Sequence, residues 1–272
     1  MTRPRPVAQV AMHLAATLAS VVFAGPILIV VVVSLTSTTV LDLSLSPSHW
    51  TFLNYRQVLG DPLVPRYILN SVVVGLAVTA LTVVIDLLAA FAYAKLRFPG
   101  RDLSFGLLLA TMMLPFSATL VPVYLIASKL GMVDSYTGLI VPALAGPFGV
   151  FMLRQFIRGI PDTLLDAARI DGASYLRIFA NIIVPLCYQP MAVLAIFTFV
   201  GSWNSFLWPL LIAQSEEMRT LTVGIATTNT QFTQNIGGIT AVAVLSLLPM
   251  ALLFVVFQRY FIRGVLAGAV KA

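Results

Sequence analysis

Six long apolar stretches dominate this chain and limit what it can fold into: residues 12–35, 70–93, 103–127, 137–157, 184–212 and 238–261. A helix needs about 20 mostly apolar residues to cross about 30 Å of hydrocarbon. Inside lipid, backbone N–H and C=O groups find no water, so each must be bonded within its own helix or in a closed barrel. The runs are too long and too evenly apolar for barrel strands, which alternate over about ten residues. Composition agrees. The 272 residues are 59% hydrophobic and only 10% charged, with a mean hydropathy of +0.97, whereas a soluble domain carries about 25% charged residues. The expectation is a single all-α integral membrane domain, residues 1–272, with six transmembrane helices.

The first apolar run follows Arg3 and Arg5, as a signal peptide would. It continues past the short core of a signal and contains Gly25-Pro26, so it is read as an uncleaved span. The net charge of +6 is not read as a nucleic-acid signature, because the basic residues flank apolar segments. With the N-terminus inside, twelve of the sixteen Lys and Arg fall on inner segments; only Arg56, Arg66, Lys129 and Arg219 fall outside. The positive-inside bias therefore puts both termini in the cytoplasm. The one cysteine, Cys187, permits no internal disulfide.

On this topology the segment 161–185, between the fourth and fifth spans, is cytoplasmic. It holds Asp162, Asp166, Asp171, Arg169 and Arg177 in a chain otherwise poor in charge. Asp162 follows Pro161 and is suited to cap a first helix carrying Leu164, Leu165 and Ala168. Gly172 is placed to end that helix in a left-handed conformation. Ser174 is placed to cap a second, with Tyr175, Ile178, Phe179 and Ile182 on one face, before Pro185 bends the chain. Two short helices showing charge and small residues suit a groove on another protein. An amphipathic hairpin resting on lipid is the alternative, but three aspartates do not favour an anionic leaflet.

"DAARIDGASYLRIFANIIVPL" (166–186) resembles the cytoplasmic EAA loop of ABC-importer permeases, with Asp166 in place of the usual Glu and Val184 in place of the usual Leu. "TFLNYRQVL" (51–59), "LRFPGR" (96–101), "PVYLIASKLGMVDSYTGLIVP" (122–142), "LRQFIRGIP" (153–161), "WNSFLWPL" (203–210) and the tail from Phe257 look like the carbohydrate-importer branch, similar to the maltose-type second permease. The resemblance implies a permease in the bacterial inner membrane that moves a sugar, amino sugar or glycerophosphate-type ester by alternating access. It implies a heterodimer with a second permease, two ATPase subunits below and an extracytoplasmic solute-binding protein above. Asp166, Ala167, Ala168, Asp171, Gly172 and Ala173 would form the ATPase-coupling motif. No cofactor is expected in this chain, ATP and Mg belonging to the partner subunits.

Nothing in the sequence points to catalysis. There is no phosphate-binding G-x-x-x-x-G-K-[ST] and no H-E-x-x-H, and His13 and His49 are the only histidines. No enzyme activity or metal site is expected. Trp203, Asn204 and Phe206 in the fifth apolar run are candidates for lining a solute path, with helix–helix packing as the plain alternative. Asp86 lies among Val83, Val84, Ile85, Leu87 and Leu88. An ionisable group inside a span marks function by default; Asp86 is open to three readings, facing the solute path, pairing across the dimer, or standing protonated and inert, and it is the proton site in the rival reading of the whole chain, a secondary transporter. Thr227, Asn229, Gln231 and Gln234, in the outer polar run 227–235, are candidates for contact with the binding protein.

Overall fold

The computed structural model describes residues 6–36, 50–144, 146–227 and 236–269. Its α-helices in chain order are α1 (Pro6–Ser34), α2 (Leu53–Gly60), α3 (Leu63–Lys95), α4 (Arg101–Ala110), α5 (Phe116–Lys129), α6 (Tyr136–Ile140), α7 (Pro147–Arg158), α8 (Asp162–Ile170), α9 (Tyr175–Ile178), α10 (Val184–Leu186), α11 (Tyr188–Trp203), α12 (Leu207–Ile212), α13 (Leu221–Thr227) and α14 (Ile236–Ala269). The only β pairing among the described residues is an isolated bridge between Thr36 and Trp50.

Among the described residues, two helices are long and apolar enough to cross a membrane unbroken: Met12–Ser34 within α1, and α3. The 33 residues of α3 rise about 50 Å, well beyond about 30 Å of hydrocarbon, so its ends reach past the apolar layer. Other apolar runs are not straight rods. The stretch expected as one span over 103–127 is α4 and α5, meeting at 106°. Pro115 explains the break: it holds Leu114 extended (φ −81°, ψ 118°), as residues before proline prefer. The run 184–212 is likewise divided. A π-helical segment, Phe179–Ile183, leads into α10, and the helix from Tyr175 to Leu186 meets α11 at 76°. Pro185 has no N–H to donate to the preceding turn, and Cys187 N–H bonds back to Ile183 O (2.9 Å) and Val184 O (3.2 Å). The run closes with α12 after an irregular corner at residues 204–206.

The chain forms two compact units: Met1–Pro65 with Ile225–Pro249, and Arg66–Gly224 with Met250–Ala272. In the first, Asn54 Nδ2 donates to Ser34 O (2.9 Å) and Thr36 O (2.8 Å), and the Ser34 hydroxyl lies 2.7 Å from Tyr55 OH. These bonds close the end of α1 onto α2. Gly237 packs against Asn54 so tightly that a Cβ there would overlap its amide.

Among the described residues of the second unit, two buried clusters lie along α3. One joins Val74 and Val78 to Ala127, Leu139, Trp208 and Ile212. The other joins Leu87, Ala90 and Phe91 to Phe105, Leu153, Ile157, Leu165, Ile178 and Ile183. Near the start of α3, fully buried Asn70 is saturated. Its amide donates to Glu217 O (2.7 Å) and Arg219 O (2.9 Å), and its carbonyl accepts from Tyr136 OH (2.6 Å). Asn70→Leu leaves those partners unbonded. It is expected to cost about 2–3 kcal/mol, seen as a lower thermal midpoint of the detergent-purified protein; an unchanged midpoint would refute this role for Asn70.

Candidate functional site

The segment 161–185 folds as a helical hairpin. α8 ends in paired backbone bonds, Gly172 N–H to Arg169 O (2.9 Å) and Ala173 N–H to Ala168 O (2.9 Å), the double closure of a Schellman motif. Gly172 takes φ +80°, a conformation nearly free for glycine and costly for a residue with a Cβ. Ser174 Oγ accepts from Arg177 N–H (3.3 Å) and caps α9. Asp162 departs from its expected role. It makes no cap to the α8 backbone, and its carboxylate instead accepts from Lys95 Nζ at 2.6 Å. The ammonium beside it holds the Asp162 carboxyl below the usual carboxylate range, so the pair stays charged as pH falls to the ordinary Asp value and is lost only lower.

Two side chains seat the hairpin on the rest of the unit: Leu165 from α8 and Ile178 from α9, both fully buried. The opposite side is open. Asp166, Ala167, Asp171 and Gly172 are exposed there, with Ala168 and Ala173 half-buried. Thus the six motif residues lie around one helix end. Asp166 is paired within the chain, accepting from Arg169 Nη1 (3.1 Å), and the Arg169 guanidinium lies over the Tyr175 ring at 5.1 Å. An exposed ion pair of this kind is worth about 0–1 kcal/mol. Ile170 is 87% exposed and Leu176 76% exposed. Large apolar groups therefore stand exposed beside small residues and charges. Helical periodicity gives no sign that Ile170 and Leu176 face outward, because a helix end and a four-residue helix are too short to fix a face.

Inside the bundle, Asp86 is buried, with Oδ2 lacking any hydrogen-bond partner. It makes no ion pair among the described residues. Gly149 of α7 sits directly against it. A Cβ at 149 would overlap Asp86 Oδ2 and come within 2.9 Å of Leu194 Cδ1. Glycine thus lets α3 and α7 approach where a carboxylate lies between them.

A cleft of about 260 Å³ opens elsewhere in the same unit, lined by Ser71, Thr198, Ser202, Ser205, Trp208 and Thr220 among others. Trp203, Asn204, Phe206 and Asp86 are not among its walls. Trp203 is buried and stacked on Phe199 (centroids 5.8 Å, planes at 18°), and Asn204 Nδ2 bonds to Val200 O (3.0 Å). Phe206 is partly exposed at the start of α12. In helix α11 the hydroxyl face, one residue from Trp203, is the one that meets the cleft; a three-residue pattern was too short to set that rotation. Thr227 ends α13, whereas Asn229, Gln231 and Gln234 lie outside the described residues.

Residues 87–267, which include the whole hairpin, match the family described as "Binding-protein-dependent transport system inner membrane component". The chain belongs to this family. This inner-membrane component is similar to the arabinooligosaccharides transport system permease protein AraQ of Halalkalibacterium halodurans, 37% identical over 232 residues, or 85% of this chain and 83% of the relative. It is also similar to the sn-glycerol-3-phosphate transport system permease protein UgpE of Brucella abortus, 34% identical over 281 residues, or 97% of this chain and 98% of the relative. Its fold matches a chain in the crystal structure of a bacterial ABC transporter involved in the import of the acidic polysaccharide alginate (TM-score 0.85, 22% identity, 96% of this chain and 100% of that one). A second match is to a chain in the bacterial alginate ABC transporter in complex with an alginate pentasaccharide-bound periplasmic protein (TM-score 0.63, 16% identity, 92% and 94% covered).

The tight contact at Gly149 is testable. Gly149→Ala is expected to lower the yield of folded inner-membrane component through overpacking of about 1–3 kcal/mol. Asp86→Ala in the same chain should restore much of it. Equal yields of Gly149→Ala and the unmutated protein would show that α3 and α7 do not meet at this carboxylate.

Proposed function

We propose that the chain is the permease subunit of an ATP-driven, binding-protein-dependent importer of a carbohydrate or carbohydrate-like solute: a sugar, an amino sugar or a glycerophosphate-type ester. The observation that carries this reading is the exposed acidic hairpin closed at Gly172, in a chain of the inner-membrane-component family. The solute class follows the relatives named for arabinooligosaccharides and for sn-glycerol-3-phosphate. Six spans with both termini in the cytoplasm complete the topology, three of them bent or broken.

The subunit pairs with a second, related permease. Two ATPase subunits bind ATP and Mg and dock on the cytoplasmic side, and an extracytoplasmic binding protein delivers solute. Closure of the ATPases around ATP moves the hairpin, and the spans alternate between outward-open and inward-open states. Ala167 and Gly172 let a partner surface come close, Ile170 and Leu176 give it apolar contact, and Asp166 exchanges Arg169 for a cation on the ATPase. Thr227, Asn229, Gln231 and Gln234 are the candidates for contact with the binding protein. Trp203, Asn204 and Phe206 remain candidates for the solute path, joined by the hydroxyls of Ser202 and Ser205.

Gly172→Trp tests the hairpin. Nothing lies within 4 Å of the position a Cβ would take, so the first side-chain carbon meets no clash inside the chain. The left-handed backbone and the docking face are what suffer. Membrane insertion is expected to be normal, with transport abolished and the ATPase failing to copurify; normal uptake by this variant removes the hairpin from the mechanism. Asp86→Asn separates the rival reading, a proton-coupled carrier. Uptake is expected to stay ATP-dependent with its pH profile unmoved, and a proton-gradient-driven uptake lost in Asp86→Asn would favour the rival.

A further inference from the structure

We propose that Lys95 is a positioning residue that clamps the hairpin to α3, so that the two move as one body during the transport cycle. This rests on the reading of the hairpin as the ATPase-docking element. Between α7 and α8 lies a joint of three residues, Gly159, Ile160 and Pro161. Its own backbone bonds are local: Gly159 N–H to Phe156 O (3.0 Å), Ile160 N–H to Ile157 O (3.1 Å) and Leu164 N–H to Pro161 O (3.2 Å). None of these crosses to another span. Lys95 does cross, from the last residue of α3. Its ammonium donates to Ile160 O in the middle of the joint (2.6 Å) and to Asp162 Oδ1 at the first residue of α8 (2.6 Å). The Lys95 side chain is 5% exposed and that of Asp162 78%, so the cation is buried under the hairpin and not a loose surface charge.

The end of α3 is itself held firmly. Arg154 Nε of α7 donates to Tyr93 O (3.2 Å), with its guanidinium 3.8 Å over the Phe105 ring of α4. Arg101 Nη1 of α4 donates to Leu96 O (3.3 Å). Three helices thus meet at one helix terminus, where cations are favoured by the unpaired carbonyls. Lys95 joins that block to the hairpin. Buried Ile160, Leu165 and Ile178 also hold the hairpin, but apolar contact has no preferred direction and permits sliding and tilting. Charge-assisted bonds from one ammonium to two acceptors are directional. The apolar contacts account for adhesion and Lys95 for alignment.

The test uses the full complex of both permeases and both ATPases in nanodiscs, with spin labels at Thr163→Cys on α8 and Leu69→Cys on α3, both exposed positions; Cys187 is buried and stays unlabelled. With Lys95 present, the distance between labels is expected to be narrow and unchanged when the ATPases are trapped with ATP and vanadate. In Lys95→Met the distribution should broaden and its centre should shift on trapping, while vanadate is still trapped. Lys95→Arg should restore the narrow, fixed distance. A residue that only capped α3 would lower the thermal midpoint without moving these distances. Identical distances in Lys95→Met before and after trapping overturn the clamp, as does a shift on trapping in the protein with Lys95 intact. Failure of the docking reading is seen separately, as ATPase copurifying undiminished with Gly172→Trp.

Discussion

Backbone hydrogen bonding without water is the constraint on which the rest of this structure depends. In an apolar surrounding each peptide group must find its partner within its own helix, and an unpaired one costs several kcal/mol. A chain that is 59% hydrophobic therefore becomes helix nearly everywhere. Interest lies in where it stops being helix, because each interruption requires other partners for the released groups. The corner after α10 shows the accommodation: Cys187 N–H bonds to two carbonyls at once, and the preceding turn widens into a π segment. Such π turns are rare and concentrate at functional places. Here the π turn lies between α9 and α10.

The hairpin applies opposite rules on its two sides. Inward, Leu165 and Ile178 bury themselves as in any soluble core. Outward, Ile170 and Leu176 stay exposed beside small residues and charges. Its conformation is set by backbone bonds around Gly172 within the chain itself. Asp86 offers a contrast. Its carboxylate has no compensating donor on Oδ2, yet Gly149 gives it room.

Much of this was legible in the chain itself. Apolar runs, the basic-residue bias and the 166–186 pattern led to an all-helical membrane permease, and local chemistry located the ends of α8 and the cap of α9. Gly172 was readable because one residue type alone adopts that φ cheaply, and Ser174 because a hydroxyl three residues before a free N–H is a local event. Asp162 was misread for a complementary reason: its carboxylate had two suitors, the α8 backbone beside it and Lys95, 67 residues away. Only the nearer is visible along the sequence. Leu114-Pro115 carried a signal for the break between α4 and α5, yet hydropathy averaged over the run conceals it.

By itself, then, the sequence determined what depends on short stretches: helical state, apolar solvent, the closed end of α8 and family membership. Tertiary structure alone decided which face each helix turns inward, that Asp86 meets Gly149, that Ser202 and not Trp203 borders the cleft, and that Lys95 reaches under the hairpin. The physical reason is range. Backbone propensity and transfer from water act on each segment separately. Close contact and hydrogen bonding between distant residues depend on rotations and bends that no single segment encodes.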